Sequence, residues 1–192
     1  AARISVGRRA FHIAAGLAIP GLALFVDRSV MIGLLAALAG VAILVEILRF
    51  ASPGFNALLA RRLRRLLKAT EARHVTGATY LAISALGCFL LYDRMVAILA
   101  VLFLAVGDPL AALVGQRAPG PRLWGKSPLG TLVFFAVSVA LVWALALGGR
   151  LDFRWPFIAG AAVAAAVELL PLPLDDNVTI PLVSGAVMAA LA

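Results

Sequence analysis

Asp108 closes one apolar run of the chain, set between Gly107 and Pro109. Lys126 opens the next, inside Gly125-Lys126-Ser127. A carboxylate and an ammonium bordering apolar runs are expensive in lipid, so each needs a partner or a task. A later acidic pair, Asp175-Asp176, precedes Asn177, and Glu168 stands just ahead of it at the end of another apolar run. Mg²⁺ prefers hard oxygen ligands and is usually held by one or two carboxylates plus phosphate oxygens and water. A lysine beside the free amides of a helix N-terminus attracts phosphate. These residue types therefore point to metal–nucleotide chemistry at a membrane face. Asp108, Asp175, Asp176 and Glu168 are the candidate metal ligands, and Lys126 is the phosphate contact.

Other readings compete at several of these positions. Residues 120–127, G-P-R-L-W-G-K-S, match the phosphate-loop pattern G-x-x-x-x-G-K-[ST] letter for letter. That loop works between a strand and a helix of a βαβ unit. Here an apolar run precedes it, and Pro119 and Pro121 lack amide donors, so only the local phosphate physics carries over. One of Asp175 and Asp176 reads as a helix N-cap, and two adjacent carboxylates exceed what a cap needs. Asp108 has a structural alternative as an arginine's partner. Arg8 and His12, four residues apart, share a helix face; by type alone the arginines set topology and His12 is a helix-end residue. Glu46 and Arg49, three apart, read as a structural pair. Cys88 is the single cysteine, and two histidines with one cysteine are too few for a zinc site.

The elements that must position these residues follow from composition. The chain has 192 residues, 64% of them apolar, and a mean hydropathy of +1.06. This excludes an ordinary soluble domain. The absence of period-2 alternation argues against a transmembrane β-barrel. Long apolar blocks separated by charged clusters predict an all-α, polytopic membrane protein with seven spans. They cover about 11–26, 30–50, 75–92, 95–116 (broken or kinked at Pro109), 128–147, 156–170 and 178–191. Ser127 suits an N-cap and Pro128 the first helical position of the fifth. Between the second and third spans, Phe55, Leu58, Leu59, Leu63, Leu66 and Leu67 fall on one helical face and Arg61, Arg62, Arg64, Arg65 and Lys68 on the rest. That is a basic amphipathic helix suited to an anionic membrane surface; the compatible alternative is a positively charged connecting helix that only sets topology.

The net charge of +8 would suggest nucleic acid in a soluble chain. In a membrane chain the positive-inside rule accounts for it, and no nucleic-acid partner is expected. Seven spans place all but four of the 17 Lys and Arg residues on one side, leaving Arg28, Arg94, Arg150 and Arg154 on the other. The N-terminus is then cytoplasmic, and the Gly-Lys-Ser loop and Asp175-Asp176-Asn177 share the cytoplasmic face of the cell (inner) membrane.

Taken together, the motifs resemble the CTP-dependent lipid kinases: dolichol kinases, plant phytol kinases and the yeast-type diacylglycerol kinase. The resemblance rests on Arg8-Arg9-x-x-His12-x-x-x-Gly16, His74-x-Thr76-Gly77-Ala78-Thr79-Tyr80 and Gly107-Asp108-Pro109 with Ala111-Ala112 and Gly115. It continues in Gly125-Lys126-Ser127 with Gly130-Thr131, and in Glu168 with Pro171 and Asp175-Asp176-Asn177. It implies one membrane-embedded lipid kinase domain over residues 1–192. That domain would transfer the γ-phosphate of CTP, with Mg²⁺, to the hydroxyl of a polyprenol or dolichol, of phytol or geranylgeraniol, or of diacylglycerol. It places nucleotide contacts at Arg8, Arg9, Gly115, Gly125, Lys126, Ser127, Gly130, Thr131 and Asn177. Catalytic roles fall to Asp108, Lys126, Asp175, Asp176 and His12, with one of the carboxylates or His12 taking the hydroxyl proton. Arg117, Arg122 and Lys126 are the loop's cations. Two alternatives stand beside this expectation. One is a phosphatidate cytidylyltransferase making CDP-diacylglycerol. The other, of a different class, is a small membrane transporter with Glu46 and Asp108 lining its path. Oligomeric state is open, since the Ala/Gly-rich sixth span can pack within one chain or between two.

Overall fold

Polar and proline punctuation in the sequence becomes helix boundaries. A computed structural model describes residues 6–63, 71 and 73–192; the side chains of residues 6–12 and 15 lie outside that description. The helices are α1 (Val6–Ala23), α2 (Arg28–Ala51), α3 (Pro53–Arg62), α4 (Gly77–Leu91), α5 (Arg94–Leu102), α6 (Asp108–Arg117), α7 (Pro128–Leu147), α8 (Trp155–Leu169) and α9 (Asp176–Leu191). A π-helical turn, Phe103–Gly107, joins α5 to α6. No strand occurs among the described residues. Side-chain oxygens of Ser52, Thr76 and Asp175 cap α3, α4 and α9 by accepting first-turn amides, the bond that an N-terminus otherwise leaves unmade.

The all-α expectation holds, and the count of seven spans is corrected. Among the described residues three helices are long and apolar enough to cross a membrane: Arg28–Ala51, the continuous helix Arg94–Arg117, and Pro128–Leu147. The apolar helices Gly77–Leu91, Trp155–Leu169 and Asp176–Leu191 have 15, 15 and 16 residues. At about 1.5 Å per residue they fall short of a hydrocarbon core of about 30 Å. The 18-residue α1 is not among the three either. Over its described part the expected surface helix is α3. It ends at Arg62, with Leu63 as cap and no buried residue, and Arg64, Arg65, Leu66, Leu67 and Lys68 lie outside the described residues.

The core is the middle of the long helix. Every residue from Val96 to Ala105 is buried, with α1, α4, α7, α8 and α9 packed around it. Pro109 does not break this helix. Proline offers no N–H to the carbonyl four residues back. The ladder widens into the π turn just before it, and the Asp108 amide still donates to the Leu104 carbonyl. Such π turns are frequent at functional sites, and this one delivers Asp108 to the start of α6. Pro181, inside α9, likewise withholds a donor from the Asn177 carbonyl. There Ser84 of α4 supplies the missing hydrogen bond through its hydroxyl, tying α4 to α9 just below the acidic loop.

Arginines at the far end act on helix termini. Arg94 donates to the Ala23 carbonyl at the end of α1, at 2.8 and 2.6 Å. Arg28 donates to the Phe89 and Leu90 carbonyls at the end of α4, at 3.0 and 3.2 Å. Cations suit the unpaired carbonyls and negative dipole end of a helix C-terminus. These two exceptions to the charge asymmetry therefore have a structural task.

Candidate active site

The end of the bundle carrying the C-termini of α6 and α8 and the N-termini of α7 and α9 gathers most of the sequence-selected residues. Lys126 lies at its centre, immediately before α7. Its ammonium is 2.9 Å from Asp176 Oδ2 and 3.7 Å from Glu168 Oε1, and it also donates to the Glu168 main-chain carbonyl. Lys126 therefore spans the end of α8 and the first turn of α9. Thr131, one turn into α7, donates from Oγ1 to Glu168 Oε2 at 3.1 Å. Asp108 stands close enough for its charge to act on Glu168, as that of Asp176 does. Two carboxylates thus flank one ammonium, with a third close to Glu168. The Lys126 side chain retains 30% of its exposure and that of Asp176 36%, whereas Glu168 retains 10%.

The loop that sets Lys126 is a tight turn. Leu123 and Lys126 exchange both backbone hydrogen bonds, each at 2.9 Å, around Trp124 (φ 49°) and Gly125 (φ 86°). Two successive left-handed residues make the primed turn that joins antiparallel segments, and glycine is the favoured second residue. Gly125 is therefore a turn residue. The phosphate-loop reading has no strand to support it among the described residues, and the Lys126 amide is committed to the turn. Arg122 donates to the Gly115 carbonyl at 2.6 Å and the Ala118 carbonyl at 3.3 Å, and so caps α6. Arg117 donates to the Leu113 carbonyl at 3.1 Å.

Gly115 and Gly130 sit where α6 meets α7. A Cβ on Gly130 would lie 2.9 Å from the Ala111 carbonyl oxygen, and one on Gly115 would lie 3.3 Å from the Ser127 Cβ. Both glycines let α6 and the start of α7 approach closely. Ser127 is the N-cap position of α7, yet its side chain makes no capping bond, so the first-turn amides are not consumed by its hydroxyl.

Asp175 and Asn177 belong to the other side of the α9 terminus. Asp175 Oδ1 accepts from the Asn177 amide at 2.9 Å and from Asn177 Nδ2 at 2.6 Å. Asp175 is therefore the cap and Asp176 the partner of Lys126. Beyond Asp175 opens a cleft of about 350 Å³ lined by Glu71, His74, Val75, Tyr80, Pro173, Leu174 and Asp175. Its Glu71 wall is fixed by a bond from the Gly77 amide to Glu71 Oε1 at 3.0 Å. Reasoning from sequence assigned no role to Glu71 or Tyr80; the signal available was the His74-to-Tyr80 motif, which lies next to this cleft. The side chains of Arg8, Arg9 and His12 are outside the described residues.

Among the described residues no three of His, Cys, Asp and Glu converge closely enough to hold a metal ion by themselves. The donor chemistry still suits Mg²⁺ in a shared site, because Glu168 and Asp176 offer hard oxygens and Mg²⁺ needs few protein ligands when phosphates supply the rest.

Two curated proteins are similar to this chain. An uncharacterized protein of Rickettsia prowazekii is 28% identical over 182 residues, 91% of this chain and 88% of its own length. A probable chloroplastic phytol kinase of Glycine max is 32% identical over 102 residues, 46% of this chain. The match spans about a third of the soybean protein, 32% of its length. No protein-family model matches the chain, and no solved structure matches it. Part of the chain is thus similar to a probable phytol kinase, and three of its described helices have the length and apolarity of membrane spans.

Proposed function

We propose that the protein is an integral membrane kinase that transfers the γ-phosphate of CTP to the hydroxyl of a membrane lipid alcohol of the phytol or polyprenol kind. The observation that carries this reading is Lys126, held part-exposed between Glu168 and Asp176 just ahead of α7, with Asp108 near Glu168. Its support is the partial similarity to a probable phytol kinase. Phosphoryl transfer depends mainly on positioning and on neutralising charge at the transferred group. Lys126 and the first-turn amides of α7 receive phosphate oxygens. Glu168, oriented by Thr131, and Asp176, oriented by Lys126, would hold Mg²⁺ jointly with the nucleotide. When bound, the ion neutralises phosphate charge. One of the nearby carboxylates or His12 takes the hydroxyl proton as the alcohol oxygen bonds to the γ-phosphorus and CDP departs with the bridging oxygen. The site faces the cytoplasm of a multi-pass protein in the cell (inner) membrane, and α3 with the residues after it rests on the anionic surface.

Purified protein incubated with γ-labelled CTP, Mg²⁺ and a panel of phytol, geranylgeraniol, a polyprenol, diacylglycerol and phosphatidate tests the proposal. Label should enter a lipid phosphate while CDP is released. Labelled pyrophosphate formed only with phosphatidate would make the protein a cytidylyltransferase. No turnover with any nucleotide would leave the transporter reading.

A further inference from the structure

Asp175 and Asp176 are neighbours in sequence and serve opposite sides of the first turn of α9. Asp176 meets Lys126. Asp175 lines the cleft, and none of Lys126, Glu168, Asp176 and Asp108 is among that cleft's walls. The walls are two-natured. Glu71, His74, Tyr80 and Asp175 are polar, whereas Val75, Pro173 and Leu174 are apolar. Among the described residues no lysine or arginine lines it and two carboxylates do, so a polyphosphate entering here would meet like charge from Glu71 and Asp175. A neutral molecule with one polar end and an apolar remainder meets a hydrogen-bonding partner and an apolar wall together.

We infer that this cleft receives the hydroxyl end of the acceptor lipid. Asp175 and His74 bond the hydroxyl, and Val75, Pro173 and Leu174 cover the first carbons of the tail. The inference rests on the kinase reading and divides the acidic pair: Asp176 serves the phosphate side and Asp175 the acceptor side. Two features favour it beyond composition. Asp175 Oδ1 already holds both Asn177 bonds, which fixes the carboxylate of a residue that lines the cleft. The Pro173–Asp175 wall is also the segment that leads directly into Asp176, the partner of Lys126. At about 350 Å³ the cleft lies at the small end of ligand sites. It takes the head of a long prenyl alcohol and leaves the tail to the bilayer.

Two measurements on the full chain in detergent–lipid micelles test this. The first uses a phytol analogue carrying a diazirine near the hydroxyl, with no nucleotide present. Photolabel on peptides covering residues 71–80 or 173–175, competed by unlabelled phytol, supports the cleft; label confined to other segments overturns it. The second is the kinetics of His74→Ala and Tyr80→Phe. A rise of about tenfold in the KM for the alcohol, with the KM for CTP within about twofold, is expected for His74→Ala and a smaller rise for Tyr80→Phe. A rise in the CTP KM alone, or no change in either, overturns the assignment. A labelled cleft without turnover would remove the kinase reading and keep the acceptor site, and turnover with an unlabelled cleft would do the reverse.

Discussion

Two clusters of carboxylate and cation lie at the same end of this bundle and are built on opposite terms. In the first, Glu46 and Arg49 of α2 pair at 2.6 Å, with side chains 7% and 1% exposed. Every group there has a partner. Glu46 Oε1 accepts from the Thr76 amide and from Thr79 Oγ1, each at 3.0 Å. Arg49 donates to Asn56 Oδ1 at 3.1 Å and to the Glu71 carbonyl. In the second, Glu168 and Asp176 flank Lys126 and Asp108 stands near Glu168, three carboxyl groups to one ammonium, with Lys126 and Asp176 still reached by solvent. A sealed, charge-balanced network is what a joint between helices requires, since buried charges must be paired and hydrogen-bonded. An open cluster with surplus negative charge is suited to receive a cation and phosphates. The same residue types thus do structural work in one place and offer a binding surface in the other, and burial with charge balance separates the two.

The largest expected effect breaks the sealed cluster. Glu46→Ala leaves the Arg49 guanidinium buried without its counter-charge, which costs about 3–5 kcal/mol. Thermal unfolding of the purified protein should show a large loss of stability, while the folded fraction keeps its KM for CTP. A stable variant would mean that the pair is as dispensable as a surface bridge.

Lys126→Ala is the counterpart in the open cluster. Removing one preorganised charge donor from a reacting group typically costs about 10²–10³ in kcat, or about 2.7–4 kcal/mol. Its half-exposed ion pairs contribute only about 0–1 kcal/mol to folding. The variant should therefore unfold near the wild-type temperature and turn over at most about a hundredth as fast. Near-normal turnover would remove Lys126 from the site.

What was legible in the sequence follows the same division. Apolar periodicity and the polar breaks placed the helices within a few residues, and the span over 128–147 matches α7 (Pro128–Leu147). The number of crossings was not legible, because an apolar run ends in a turn as readily as in an interface. A 15-residue helix such as α4 reads as a longer span until its caps are seen. Lys126, Glu168 and Asp176 were chosen for charge near lipid, and the fold brings them together. The division of labour between Asp175 and Asp176 could not be read, because adjacent residues on a helix start face different directions. Nor could the cleft, since Glu71 and Asp175 meet only across α4 and α9. Pro181 was readable in principle: a proline in a helix frees the carbonyl four residues back and calls for a donor from elsewhere, here Ser84.

That donor gives a smaller prediction. Ser84→Ala leaves the buried Asn177 carbonyl without its bond, at a cost of about 1–3 kcal/mol. Because Asn177 also holds Asp175, activity should fall along with stability, and more for the lipid alcohol than for CTP when KM values are compared. A loss of stability alone would separate this strut from the site.

The smallest effect sharpens the comparison within one loop. Arg122 and Lys126 are four residues apart, and by sequence both are cations of a nucleotide loop. Lys126 reaches carboxylates, whereas Arg122 donates to carbonyls at the end of α6. A charged cap on a helix C-terminus is worth about 0.3–1 kcal/mol. Arg122→Ala should therefore lower stability by about that amount and leave the KM for CTP within about threefold, while Arg122→Lys restores most of the stability. A loss of CTP affinity rivalling that of Lys126→Ala, with stability unchanged, would show that Arg122 leaves its carbonyls to meet the nucleotide, and that the loop is rebuilt when the substrate binds.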